Sequence, residues 1–127
     1  MNRLFFRTAC ILLALAVILG AMGAHALKDK LNAYQMGIYQ TAALYQFLHG
    51  LGLIILAIVA GQLHSRGTWA MRLMVVGIIL FSGSLYSLST LHLCGMESIK
   101  GILGPITPIG GVCFIAAWLI TAFSIKK

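Results

Sequence analysis

The sequence predicts an all-α integral membrane protein, a four-helix bundle with both termini in the cytoplasm, and three observations lead there. Of its 127 residues 61% are hydrophobic and 9% charged, against the roughly 25% charged of a soluble domain. The apolar residues gather into four runs, and about 20 residues at 1.5 Å rise each cross a hydrocarbon core of about 30 Å. The basic residues between those runs divide unequally across the two sides of a membrane. One membrane domain, residues 1–127, holds all four runs.

The first span covers about 8–27, TACILLALAVILGAMGAHAL. Arg3 and Arg7 before an apolar run that ends Ala24-His25-Ala26 also resemble a secretory signal with a small-x-small cleavage site. The run exceeds the usual apolar core of about 7–15 residues. Ala16, Gly20 and Ala24 recur every fourth residue, as a packing face would. The segment is therefore read as a retained helix.

From Lys28 to Gln40 the chain is polar, with Leu31, Tyr34 and Ile38 forming an apolar edge at helical spacing. Residues 28–40 are expected to lie as a short interfacial segment, with Tyr34 and Tyr39 in an aromatic belt. The second span, about 41–61, carries a stripe of Ala42, Ala43, Gln46, His49, Gly50, Leu53, Ala57 and Gly61 at 100° per residue. Lipid exerts no hydrophobic drive between helices, so small residues and polar side chains must hold a bundle together. This stripe should face other helices.

The third span runs over about 69–93, from the interfacial Trp69. Its second half is crowded with Ser82, Gly83, Ser84, Ser87, Ser89 and Thr90. Hydroxyl side chains can return a hydrogen bond to the backbone one turn earlier, which keeps such a helix compatible with lipid. Residues Cys94 to Gly104 read as a loop. Thr107 should then cap, and Pro108 open, a fourth span of about 108–125, since proline's missing donor costs nothing at the first helical position.

Four spans put both termini on one side together with the turn after the second span. That side holds Arg3, Arg7, Arg66, Arg72, Lys126 and Lys127, whereas Lys28, Lys30 and Lys100 lie opposite. The excess places the termini in the cytoplasm. Asp29 and Glu97, the only acids, then face outward. The net charge of +7 does not imply a nucleic-acid partner, because the basic residues are scattered and form no face that could follow a phosphate backbone.

Antiparallel threading brings the polar residues to the outer half of every helix. The candidates for a polar pocket or an interhelical network are His25, Gln46, His49, Ser84, Tyr86, Ser87, His92 and Thr107. Gly20, Gly23, Ala24, Gly50, Gly83, Gly110 and Gly111 are the candidate packing residues. His49, eight residues past Thr41, is expected to be neutral and bonded to a neighbouring helix. Four histidines invite a metal, but His92 and Cys94 are two residues apart and point to different sides of a helix, and no motif spacing is met. Cys10, Cys94 and Cys113 form neither a zinc ribbon nor a C-x-x-C pair. No metal or cofactor is expected.

Four blocks together resemble the YgdD-like small inner-membrane proteins, a bacterial family of unknown function. They are Gly20-Ala21-Met22-Gly23-Ala24-His25-Ala26-Leu27, then Tyr39-Gln40-Thr41-Ala42 with Tyr45-Gln46 and His49, then Phe81-Ser82-Gly83-Ser84-Leu85-Tyr86, and Ile106-Thr107-Pro108-Ile109-Gly110-Gly111. The resemblance implies a multi-pass protein of the bacterial inner membrane with its first helix retained, and brings no reaction, ligand or catalytic residue. None of the four blocks covers the Cys94–Gly104 loop, which is not placed on the family pattern, so Cys94 and Glu97 gain nothing from the resemblance.

Two function classes follow. The first is a non-enzymatic structural or accessory membrane protein whose partners are the bilayer and either itself or a larger membrane complex. The second is a small-solute transporter or binding protein that uses an outward polar pocket. No span contains Asp or Glu, the groups on which proton-coupled exporters of this size usually rely. An enzyme is not expected, for want of a nucleophile, base and orienter or a metal motif.

Overall fold

The computed structural model describes residues 1–126; Lys127, counted above with the basic residues of the terminal side, lies outside the described residues. Four helices long and apolar enough to cross a membrane make up the chain: α1 (Arg3–Ala24), α2 (Ala33–Gln62), α3 (Arg66–Leu93) and α4 (Glu97–Ala122). All begin earlier in the sequence than the apolar runs indicate, because each first turn includes polar or charged residues such as Arg3, Gln35, Arg66 and Glu97.

Asn2 caps α1, its Oδ1 accepting from the Phe5 amide at 3.4 Å. Arg3 and Arg7 therefore ride on the helix itself. The buried residues of α1 are Ala9, Ala16 and Gly23, seven apart. A step of seven loses only about 20° over two turns, whereas a step of four rotates the face by about 40° each time. The expected ladder of Ala16, Gly20 and Ala24 is corrected accordingly: a Cβ on Gly20 would meet nothing within 4 Å, and Ala24 is exposed.

No separate interfacial segment spans 28–40. Asn32 Oδ1 accepts from the Gln35 amide, and Gln35 Oε1 accepts from the Asn32 amide, both at 2.9 Å. This reciprocal box satisfies two amides that would otherwise lack partners and starts α2 at Ala33. Tyr34 is exposed as a belt residue would be, but Tyr39 is only 3% exposed and points into the bundle.

In the middle of α3, Ile78–Ser82 forms a π-turn between α-helical Arg66–Gly77 and Gly83–Thr90. Here α4 comes close: a Cβ on Gly110 would collide with the Phe81 backbone nitrogen and stand 2.8 Å from its Cα. The turn into α4 is also shorter than the expected loop. Gly95 adopts φ +66°, a conformation glycine takes without the penalty of a side chain, and Glu97–Ile99 makes the first turn of the helix. Both Pro105 and Pro108 lie inside α4, so Pro108 does not open it and Thr107 does not cap it. The carbonyls four residues earlier, on Gly101 and Gly104, lose their usual donors. Both glycines are exposed near the loop end of the helix, where other donors can reach them.

The helix α2 is central. In its most apolar stretch 44% of residues are buried, against 11% in α1 and 17% in α4. It packs against α1 on one side and α3 on the other, and α4 packs along α3. Buried Ala42, Gln46, His49, Gly50, Leu53 and Ala57 follow the expected stripe, and Gly52 and Leu56 add a second one because α2 has neighbours on two sides. Gly61 is exposed.

Backbone hydrogen bonds gather both chain ends at one end of the bundle. The Asn2 amide donates to the Ala57 carbonyl at 2.7 Å, His64 to Ser124 at 2.8 Å, and Lys126 to Gln62 at 2.9 Å. Leu63 and Ile125 form an isolated antiparallel bridge. Next to this end lies the apolar core of Ala9, Leu53, Leu56, Ala57, Ala70, Met71, Met74 and Ala117. The polar side chains fill the other half.

Candidate functional site

The candidate site divides into three interhelical contacts and one network at the rim. Between α1 and α2, Gln46 Nε2 donates to the Leu12 carbonyl at 2.8 Å and the Tyr39 hydroxyl donates to the Leu19 carbonyl at 2.7 Å. Gly23 makes room for the tyrosine, since a Cβ there would stand 2.6 Å from the ring. Gly50 similarly accepts Leu13, whose Cδ2 would lie 2.8 Å from a Cβ. Each bond across such a seam is worth on average about 0.6 kcal/mol.

Between α2 and α4, His49 stacks on Phe114 with ring centroids 3.5 Å apart and planes at 15°. The expectation of a hydrogen bond from His49 to another helix is corrected. Its Nδ1 lies 2.8 Å from the Tyr45 carbonyl of its own helix, and because a carbonyl only accepts, Nδ1 carries the proton. The ring's partner across the interface is aromatic instead. Tyr45 packs on Phe81 at 4.6 Å and Phe81 meets Phe114 edge-on at 5.7 Å, so α2, α3 and α4 join in one aromatic cluster.

Between α3 and α4, Ser84 Oγ and Thr107 Oγ1 are 2.6 Å apart. Ser84 also donates to the Phe81 carbonyl at 3.0 Å, which leaves Thr107 as the donor of the pair. The rest of the hydroxyl cluster turns back on α3: Ser87 bonds the Gly83 carbonyl, and Ser89 and Thr90 bond that of Tyr86. Ser82 Oγ and the Tyr86 hydroxyl are buried without a partner among the described residues.

At the rim, His92 near the end of α3 joins the first turn of α2 and the turn that precedes it. Gln35 Nε2 donates to His92 Nδ1 at 3.1 Å, so Nε2 bears the ring proton and donates to the Lys30 carbonyl at 3.1 Å. Gln35, Leu88, Leu91, His92, Glu97 and Lys100 line a hollow of about 230 Å³ there. His25 is exposed at the C-terminal end of α1 and makes no side-chain hydrogen bond among the described residues. No three His, Cys, Asp or Glu side chains among the described residues converge as metal ligands would.

The eight candidate polar residues therefore do not form a single pocket. Gln46, His49, Ser84 and Thr107 are each engaged at a helix interface, His92 sits at the rim, Ser87 bonds its own helix, the half-buried Tyr86 meets Tyr39 edge-on, and His25 is exposed at the end of α1. Of the candidate small residues, Gly23, Gly50 and Gly110 are close approaches, and Gly111 is in ordinary contact with the Phe81 ring at 3.8 Å. Gly83, like Gly20, faces open space. Tyr39, Gln35 and the glycines Gly52 and Gly77 were not among the candidates, although Gly52 seats the Trp118 ring and Gly77 the Phe114 ring. Tyr39 was detectable, as it precedes Gln46 by seven residues and Gln46 precedes the buried Leu53 by seven.

A family model described as "Protein of unknown function (DUF423)" matches residues 19–111. The chain is 43% identical over 113 residues to a UPF0382 membrane protein of Staphylococcus epidermidis, covering 89% of this chain and 87% of the relative. It is 43% identical over 115 residues to UPF0382 membrane protein YwdK of Bacillus subtilis, covering 89% and 88%. With UPF0382 membrane protein SAB0533 of Staphylococcus aureus it shares 40% identity over 125 residues, 98% and 97% of the two chains. No solved structure matches.

Proposed function

We propose a function from an established premise: the chain belongs to the DUF423 family, its relatives are UPF0382 membrane proteins, and it is an integral membrane protein. In our reading it is a non-enzymatic structural or accessory protein of the bacterial inner membrane, with both termini in the cytoplasm, that assembles with itself or with a larger membrane complex. The narrower grouping with YgdD-like proteins is part of this reading and rests on the four sequence blocks.

The observation that carries it is the way the polar groups of the outer half are used. Gln46, Tyr39 and the Ser84–Thr107 pair are bonded across helix seams, and His49 to its own helix. Groups bonded across the seams hold helices together and are not free to ligate a passing solute, and His49 adds its ring to the seam with Phe114. Meanwhile α1 presents Leu4, Ile11, Leu15, Val17, Ile18 and Met22 outward, a face available to lipid or to another helix. Crosslinking in the native membrane followed by extraction in mild detergent tests this. A self-assembly of fixed size or one stoichiometric membrane partner is the expected result. A lone monomer, with solute uptake in proteoliposomes that Gln46→Leu abolishes, overturns it.

One observation favours solute binding as a second reading, namely the rim hollow in which Glu97 and Lys100 place charges of both signs beside Gln35 and His92. Uptake lost in Glu97→Gln but kept in Gln46→Leu would select it.

A further inference from the structure

Among the described residues Arg72 is a cation without a counter-ion. It lies six residues after Arg66, the first residue of α3, and so about 9 Å along the helix. Among the described residues the only carboxylate side chains are Asp29 and Glu97, in the turns at the opposite end of the bundle. From Arg72 to the end of α3 is about 30 Å, beyond the reach of either. Helical side chains lean toward the N-terminus, and here the guanidinium lies over the Trp69 ring, 4.9 Å from its centroid. Arg72 thus extends toward the interface from within an apolar helix, as a long basic side chain does when its head must leave hydrocarbon.

A hollow of about 390 Å³, lined by Phe5, Trp69, Arg72, Leu73, Val75 and Val76, opens between α1 and α3 at this place. Its wall is apolar apart from the guanidinium. Arg3, Arg7 and Arg66 are exposed at the same end. An apolar cleft with a cation at its mouth and no acidic side chain nearby among the described residues has the chemistry of a phospholipid. The cleft takes acyl chain, and the planar guanidinium offers paired N–H donors to a phosphate. A zwitterionic headgroup would bring its own cation against these arginines, whereas an anionic one would not. We propose that this cleft is a binding site for an anionic phospholipid of the leaflet facing the chain termini, with acyl chain along Phe5, Leu73 and Val76 and phosphate on Arg72 over Trp69.

The test uses the full chain in phosphatidylcholine vesicles, with Trp118→Phe leaving Trp69 as its only tryptophan. Phosphatidylglycerol brominated on its acyl chains is expected to quench Trp69 at about a fivefold lower mole fraction than brominated phosphatidylcholine, the preference one interfacial basic residue confers. Arg72→Gln should make the two lipids equivalent without changing the melting temperature, and Arg72→Lys, which keeps the charge but loses the fork, should fall between. Equal quenching by both lipids in the parent, or a preference that survives in Arg72→Gln, overturns the proposal. Native mass spectrometry of the unaltered chain is a second measurement that avoids the Trp118 substitution. One phosphatidylglycerol retained through delipidation and lost in Arg72→Gln supports the site, and no retained lipid rejects it.

Discussion

The ring of Tyr86 meets that of Tyr39 edge-on, centroids 4.9 Å apart and planes at 66°, yet the two hydroxyls differ in fate. Tyr39 donates to the Leu19 carbonyl of α1. The Tyr86 hydroxyl is buried with no partner among the described residues. A satisfied donor stabilises modestly, and an unsatisfied one costs its full desolvation. Tyr39→Phe should therefore lower stability by about 0.6 kcal/mol or more, while Tyr86→Phe should equal or exceed the parent. Unfolding in detergent at graded denaturant distinguishes the two, and matching losses would contradict the assignment of the bond.

Substituting glycines separates close approach from mere smallness. Gly110→Ala forces a methyl into the Phe81 backbone, which cannot rotate away as a side chain could, and overpacking of this kind costs about 1–3 kcal/mol. Gly20→Ala and Gly83→Ala meet open space and should change stability by no more than about 0.5 kcal/mol, or raise it through helix propensity. Melting temperatures of the three variants check this order.

The Ser84–Thr107 pair is the direct hydroxyl contact between α3 and α4. A double-mutant cycle with Ser84→Ala and Thr107→Val should return a coupling of about 0.6 kcal/mol, and at most about 1.7. Additive losses would mean that the two hydroxyls find separate partners.

If His49 acts through its ring, a ring should replace it. His49→Phe keeps a face for Phe114 and Trp118 and should retain most of the stability that His49→Ala loses, about 2 kcal/mol or more from cavity and stacking together. Equal losses would show that the Tyr45 bond matters more than the stack.

The family match covers residues 19–111, so the four blocks quoted from the sequence lie inside it. They contain Tyr39, Gln46, Ser84, Thr107 and Gly110, each of which makes an interhelical contact. Residue type and helical spacing made most of these legible, because a polar or absent side chain in a lipid-soluble run has few other uses. The boundaries were less legible: Asn32, Gln35 and Glu97 begin helices with polar residues that an apolar-run reading leaves in loops.

By itself the sequence determined that this is a membrane chain of four helices, that the inner-facing stripe of α2 is polar and small, and that hydrogen-bonding groups collect toward one end. Those follow from hydropathy and from periodicity, which are local. Only the tertiary structure decided which partner each group takes: that Gln46 and Tyr39 are bound to α1, that His49 faces a ring in place of a polar group, and that Pro105 and Pro108 lie within α4. A helix shows its neighbours only a face, and which of several suitable groups meets that face depends on the axial offset and rotation of two helices. Those two quantities are set jointly by every close contact along the seam, from Gly23 on Tyr39 to Gly110 on Phe81, and no single segment encodes them.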